Sequence, residues 1–363
     1  MNKVYLQKLV DIMNQRKVDA MLIAPSEELQ FIMGHSTHLC ERFQALIIKN
    51  DGNYFYICNM LTYDEVNELG GIKVYGWYDN DGYMDTVKKV FEQEGLIGKT
   101  IGVNSTERAF IILDIMQNID VHFINGRPLL EDMRIIKSEE EIANLKKACQ
   151  ITDEVFSDLL GFVKAGQTEA DVIQFMKDGF AKRGADFGFA IVAAGKNAAL
   201  PHYGGCDGIV KEHEPLLMDF GCVYNGLCSD MTRTVFIGEP TDEQRKMYEY
   251  VKRGTIAGET AAVNGAYIPD VDKTARDIVD ESGFGHTFFT RLGHGIGYSM
   301  HEAPDIKQSN HKTLRPGMTF SIEPGIYRVN EFGIRIEDLV LVTEEGNEIL
   351  YTSPKELIVV NNK

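Results

Sequence analysis

Two carboxylates interrupt a run that otherwise has the composition of a buried sheet. The stretch LLMDFGCVYNGLCSDMTRTVF (residues 216–236) carries Asp219 and Asp230 among apolar, β-branched and aromatic residues. Its Tyr224-Asn225-Gly226 segment is a turn signal between two apolar runs, which predicts a hairpin. A turn centred between Tyr224 and Asn225 sets Asp219 directly opposite Asp230, with Cβ atoms about 4.5–5.5 Å apart on one face. Like charges that close are destabilising unless something positive lies between them. A second stretch, MTFSIEPGIYRVNEFGIRIEDLVLV (318–342), repeats the device with longer side chains: a hairpin centred on Asn330 sets Glu323 opposite Glu337. One buried acid pair is readily a structural network; two such hairpins in one region point to a metal site.

A fifth candidate is His294 in RLGHGIGYSMHEAP, flanked by Gly293, Gly295 and Gly297, which permit close backbone approach. Four carboxylates and one neutral imidazole balance two divalent ions. Two metals about 3.5–4 Å apart share a bridging water, lower its pKa and polarise a carbonyl. Oxygen-rich ligation with one imidazole suits Mn, Co, Fe or Zn in a catalytic rather than a thiolate site. Cys222 and Cys228 have no ligand spacing and read as core.

The elements that must hold these residues fit a chain of 363 residues, which is long for one compact domain. Apolar residues make up 44% and charged residues 25%, as in ordinary globular proteins, so a large core is expected and disorder is not. The formal charge of −17 repels phosphate backbones and anionic lipid, which argues against nucleic acid or membrane as the main partner. No run reaches the roughly 20 apolar residues of a membrane span, and the N-terminus lacks a secretory core. The six cysteines are dispersed without a CxxC pair and are expected as reduced thiols in a cytoplasmic protein.

The first part alternates strand and helix patterns. A helix is predicted at 3–17 and strands at 19–24, 72–78, 100–104 and 120–124. A hairpin turns at Asn50-Asp51-Gly52, a helix covers about 83–95, and another lies between the last two strands. This is an α/β layer domain. His35 and His38, in FIMGHSTHLCERF, read as ordinary loop histidines able to reach a neighbouring site. Ser138 before three glutamates is an N-cap, with Ile142, Leu145, Ala148 and Ile151 following at helical spacing. The boundary falls in 125–137, giving domains 1–130 and 131–363. Further helices are expected at 168–183, 241–263 and 270–282, with β-rich, glycine-punctuated chain between and after them.

The segments MDFGCVYNGLCSDMTRT, GHGIGYSMHEAP, SIEPGIY and GIRIEDLVLVT together resemble the proline dipeptidase and aminopeptidase P family of metallopeptidases. The resemblance spans essentially the whole chain. It implies an α+β fold, with a creatinase-type pita-bread catalytic domain after a smaller α/β N-terminal domain. Position by position, it makes Asp219, Asp230, His294, Glu323 and Glu337 ligands of two divalent metals, Mn or Co first, Zn or Fe next. Asp230 and Glu337 match the bridging pair, and Glu323 the ligand that shuttles a proton. His202 in AALPHYGG and His301 in HEAP match histidines that line the substrate pocket and steady the tetrahedral intermediate. Arg335 matches an active-site arginine that pairs with a substrate carboxylate or orients a ligand. Leu227 stands where the family often has an aromatic residue, off the metal-facing alternation, so packing rather than ligation is affected.

The implied activity is hydrolysis of the peptide bond preceding proline in dipeptides, by a homodimer. The alternative is an Xaa-Pro aminopeptidase acting on longer peptides. Methionine aminopeptidases share the ligand pattern but usually lack such a preceding domain. Creatinase uses the fold without metals, and catalytically silent binding modules commonly lose ligands, whereas all five are present here.

Overall fold

The computed structural model describes residues 1–361 and divides into two compact units, Met1–Arg134 and Ile135 onward. Each is built as its hydrophobic periodicity dictates. In the first unit, six strands form one mixed sheet: β1 (Ala20–Ile23), β2 (Ala45–Lys49), β3 (Tyr54–Asn59), β4 (Lys73–Trp77), β5 (Thr100–Val103) and β6 (His122–Asn125). They lie in the order β4-β3-β2-β1-β5-β6. The β2–β3 pair is the expected antiparallel hairpin, with Gly52 in the left-handed region at its turn. Helices α1 (Lys3–Arg16), α2 (Glu27–Met33), α3 (Met60–Glu68), α4 (Met84–Gln93), α5 (Ala109–Asn118) and α6 (Arg127–Arg134) complete the unit. Leu22, Ile47, Ile57, Phe91, Ile101 and Ile115 fill its core.

The second unit has two halves of similar plan, a helix pair followed by a sheet. In the first half, α7 (Glu139–Phe162) and α8 (Glu169–Lys182) precede β7 (Asp186–Ala194), β8 (Glu214–Tyr224), β9 (Leu227–Cys228) and β10 (Met231–Ile237). The Ser138 cap is a full capping box with Glu141, so the acidic first turn serves both hydrogen bonding and the helix dipole. In the second half, α9 (Asp242–Ala261) and α10 (Ile268–Asp280) precede the remaining strands. These are β11 (Gly293–Gly295), β12 (Glu302–Ile306), β13 (Thr319–Ile322), β14 (Gly325–Arg328), β15 (Phe332–Arg335), β16 (Asp338–Thr343), β17 (Gly346–Ile349) and β18 (Val359–Val360). The sheets run β18-β10-β8-β7, with β9 on β8, and β12-β11-β13-β16-β17; β14 and β15 form a separate ribbon.

Each half buries its own helix–sheet core. Leu145, Val155, Phe180, Met218 and Phe220 belong to the first, Val251, Ala275, Phe320, Ile322 and Val340 to the second. Leu227 is fully buried in the first, a packing position as its alternation predicts. Cys222 and Cys228 are buried there too, and all six cysteines are free thiols. Among the described residues no helix is long and apolar enough to cross a membrane. The two halves are stitched by one isolated antiparallel bridge between Thr232 and Glu337, and this junction builds the site.

Candidate metal centre

The first carboxylate hairpin forms, with its turn one residue later than expected. Asn225 and Gly226 both have positive φ, 48° and 83°, the pattern of a type I′ turn whose two central residues are Asn-Gly. The register therefore pairs Tyr224 with Leu227, Val223 with Cys228 and Phe220 with Met231. Asp219 faces Thr232, not Asp230. The same register sets Gly221 across from Asp230, where the ladder is interrupted, and a Cβ on Gly221 would lie 1.7 Å from the Ser229 carbonyl. Moving a turn centre by a whole residue moves each partner by two, so Asp230 stays on the face of Thr232 and next to Asp219. The direct pairing is wrong; the shared face survives.

The second hairpin has the expected register. Gly325 pairs with Arg335 and Arg328 with Phe332 around Asn330, which sits at φ 66°. Beyond a break the same register resumes in β13 and β16, where Ile322 faces Asp338. Glu323 and Glu337 are the opposite numbers within that break. His294 lies on a β-bulge of β11 between Gly293 and Gly295. A Cβ on Gly293 would meet the Ser321 carbonyl at 1.8 Å and one on Gly295 the Ala303 backbone at 2.2 Å, so glycine is required on both sides.

All eight residues singled out from the sequence line one cavity of about 470 Å³: Asp219, Asp230, His294, Glu323, Glu337, His202, His301 and Arg335. Ligand atoms of Asp230, His294 and Glu337 lie within 4.8 Å of one another. His294 Nε2 is 3.6 Å from Asp230 Oδ2 and 3.4 Å from Glu323 Oε1. Its Nδ1 faces the Gly295 carbonyl at 3.1 Å, which fixes the proton there and leaves Nε2 bare toward the acids. Burial pushes this imidazole down to about 4, so it is neutral, as a ligand must be. The His301 ring packs edge-on against it with centroids 4.2 Å apart. Burial, then coupling to the His294 ring and the positive field of Arg291, push His301 down to about 4, although the residue as a whole is exposed.

The acids are poorly compensated. Burial, then the neighbouring carboxylates, hold Asp230 and Glu337 well above the usual carboxylate range, and burial raises Glu323 as well. Asp219 Oδ1, Asp230 Oδ1 and Glu337 Oε1 are buried without a hydrogen-bond partner among the described residues. Buried polar atoms are otherwise almost always paired. Three orphaned carboxylate oxygens and one bare imidazole nitrogen are a donor set for divalent cations of oxygen and nitrogen preference.

The other oxygens of Glu337 and Asp219 are held by Thr232, which the sequence did not single out, and by Arg335, which it did. Thr232 Oγ1 donates to Glu337 Oε2 at 2.6 Å and accepts from Arg335 Nε at 3.1 Å. Arg335 Nη2 donates to Asp219 Oδ2 at 2.6 Å, and its Nη1 donates to the Tyr327 hydroxyl at 2.9 Å and to the Pro201 carbonyl at 3.4 Å. Every nitrogen of Arg335 is thus engaged in a buried position, leaving no free fork for a substrate carboxylate. The Tyr351 hydroxyl accepts from the Asp230 backbone N–H at 2.9 Å. Phe189, Ile191, Thr290, Arg291 and Met300 complete the wall. In the first unit, His35 Nε2 lies 3.0 Å from Glu65, and the His38 carbonyl accepts from Gln44, so both histidines belong to local networks.

Comparison with known proteins agrees with this geometry. Residues 143–344 match the model of metallopeptidase family M24, and residues 6–136 that of the creatinase/prolidase N-terminal domain. An uncharacterized peptidase of Staphylococcus epidermidis is 34% identical over 349 residues, covering 95% of this chain and 98% of that protein. The Xaa-Pro dipeptidase from Bacillus anthracis superposes with a TM-score of 0.85 at 30% identity, over 98% of this chain and 99% of the other. The X-Pro aminopeptidase from Thermotoga maritima does so with a TM-score of 0.83 at 30% identity, over the same shares. A two-halved catalytic unit with oxygen-rich donors at the seam, following a creatinase-type first unit in the sequence, places the chain in metallopeptidase family M24 with the pita-bread fold.

Proposed function

We propose that this metallopeptidase is an Xaa-Pro dipeptidase that uses two divalent ions, Mn or Co, held by Asp219, Asp230, His294, Glu323 and Glu337. The observation that carries the reading is that three partnerless carboxylate oxygens and a bare imidazole nitrogen open on one cavity whose remaining wall includes Phe189, Ile191 and Met300. That apolar wall suits a pyrrolidine ring, which has no N–H to satisfy. Bound there, the ions would lower the pKa of a water and polarise the scissile carbonyl.

The chain's own groups account for the rest. Glu323 is the most solvent-accessible of the four acids, its side chain 20% exposed, and burial has already raised its proton affinity. It takes the proton of the attacking water as the carbon–oxygen bond forms, then gives it to the proline nitrogen as the carbon–nitrogen bond breaks. His301, neutral at working pH, and His202 donate hydrogen bonds to the developing oxyanion. Arg335 and Thr232 hold Asp219 and Glu337 in place, so Arg335 orients a ligand rather than meeting substrate. The same reading makes the enzyme a cytoplasmic homodimer, which sedimentation and cell fractionation test.

A second reading, an Xaa-Pro aminopeptidase, is favoured by the equal identity to the X-Pro aminopeptidase neighbour. The deciding experiment strips the full chain with chelator, restores Mn, Co or Zn separately, and assays Ala-Pro against Ala-Pro-Ala. Metal-dependent cleavage of Ala-Pro with little turnover of the tripeptide is expected. Full activity in metal-free protein, or in Asp230→Ala, overturns the metallopeptidase site; preference for the tripeptide selects the aminopeptidase.

A further inference from the structure

We propose that the buried ion pair Lys137–Glu302 positions His301 for its place beside the reacting carbonyl; this rests on the reading of His301 as an oxyanion donor. Glu302 follows His301 in HEAP and has no part in the chemistry described so far. The two neighbours have unlike surroundings. His301 lines the cavity and is exposed, whereas the side chains of Lys137 and Glu302 are each 1% exposed. Lys137 Nζ donates to Glu302 Oε1 at 2.5 Å, and Glu302 Oε2 accepts from the Ser299 backbone N–H at 3.4 Å. One carboxylate therefore closes the segment 299–302, which carries Met300 and His301 into the cavity wall.

The other end of the pair is fixed by the core. The Lys137 N–H donates to the Gly317 carbonyl at 2.9 Å, and the Gly317 N–H donates to the Val342 carbonyl at 2.9 Å. Ile135, two residues before Lys137, is buried in the second half, and Ser138, the next residue, caps α7. A Cβ on Gly297 would lie 2.7 Å from both Glu302 Oε1 and Lys137 Cε, so the third glycine of GHGIG makes room for the pair. The His301 ring has little else to hold it. Among the described residues it makes no hydrogen bond, and it packs edge-on against the His294 ring. A preorganised donor must be held where the oxyanion forms, and a misplacement of about 1 Å can cost on the order of 100-fold in rate. A buried ion pair is a poor source of stability, since apolar residues of similar volume often serve as well or better. What the charged pair supplies is a fixed direction and distance. It is complete in itself and meets no substrate; it acts through the ring beside it.

Removing one partner strands a buried charge, so the test removes both together in Lys137→Met/Glu302→Met. This double variant is expected to melt close to wild type and to bind Mn as tightly by chelator competition, because no ligand is touched. In metal-reloaded full chain, kcat on Ala-Pro should fall roughly 10–100-fold with KM little changed. The same pair of substitutions should cost nothing further in a His301→Ala background, because residues that act as a unit are not additive. Losses that multiply in that background overturn the proposal. So does wild-type kcat in the double variant, or a loss of Mn affinity that matches the loss of kcat. Should the double variant melt far below wild type, Glu302→Gln, which removes the charge and keeps the shape, is read in the same two backgrounds. A smaller loss of kcat, again absent beside His301→Ala, is expected, and multiplying losses overturn the proposal. If metal-loaded wild type cleaves neither Ala-Pro nor Ala-Pro-Ala, the Xaa-Pro reading falls and this assignment with it. Multiplying losses in an active wild type sink only the role given to Lys137 and Glu302.

Discussion

Two clusters of buried charge sit back to back on the same strands, and they are finished in opposite ways. Thr232 and Arg233 are neighbours in β10, and Glu337 and Asp338 are neighbours where β16 begins, so alternation sends their side chains to opposite faces. Behind the junction, Arg233 Nη2 donates to Asp338 Oδ1 at 2.6 Å, and Lys355 pairs with Asp338 and with Glu259. Arg233 also donates to the carbonyls of Thr232, Glu337, Ser353 and Pro354. Two cations meet two acids there, so the charges balance, although burial and then Asp338 still raise Glu259 to about 7. In front, Asp219, Asp230, Glu323 and Glu337 share one fully buried cation, Arg335. The lesson is that burial of charge does not mark a functional site; an unfinished charge balance does.

The largest effects expected separate the two faces. Asp230→Asn in front should cost far more activity than the roughly 10–100-fold typical of groups that merely support a ligand. It should leave the melting temperature of metal-free protein unchanged or higher, because one of several repelling carboxylates is gone. Arg233→Met behind should do the reverse: it takes away one of the two cations on buried Asp338 and a donor to four carbonyls, a loss of about 3–5 kcal/mol read as a lower urea midpoint. Equal loss of stability in the two variants would erase the distinction drawn here.

A smaller effect is expected where the faces meet. Thr232→Val keeps the shape of the side chain but removes the hydroxyl that donates to Glu337 and accepts from Arg335. Metal affinity, measured by competition with a chelator, should fall by roughly 10–100-fold. Wild-type affinity in this variant would mean that Glu337 is held by packing alone.

How far this division could be read in the sequence depends on what sets each register. The Glu323–Glu337 pairing was legible because the same register continues on both sides of the break, so an error in locating either strand end does no harm. The Asp219–Asp230 pairing depended on which two residues form the turn, and the Asn-Gly pair itself holds the answer through its two positive φ angles. Thr232, Tyr351 and Arg291 were missed because a threonine in a β-run, a buried tyrosine and an arginine before a leucine carry no signal until the fold brings partners to them. Helix α2 was also missed, yet Ser26 as N-cap, Glu27 and Glu28 in the first turn and Gly34 at the C-terminus mark it. Its seven residues are too few for periodicity to register. The six-strand layer, the Ser138 cap and the helix pair of each half followed directly from pattern.

The subtlest expected effect tests whether the front face is unfinished in the sense argued. Glu337 is held well above the carboxylate range by burial and by Glu323 and Asp219. A group raised in the folded state contributes stability that is fully present below its unfolded value, about 4.3, and is lost as pH rises through the folded value. Metal-free wild type should therefore lose stability relative to Glu337→Gln as pH increases from about 4. His294, pushed down to about 4, acts in the opposite direction, removing stability as pH falls below the ordinary imidazole range; it is common to both proteins. Adding Mn or Co should invert the order, with wild type gaining over the variant more strongly at higher pH as the ligands shed their protons. Thermal melts of both proteins across about pH 5–8, with chelator and with metal, read the two signs. A flat metal-free difference would mean that the front carboxylates are satisfied without a bound metal, as the rear ones are by Arg233 and Lys355.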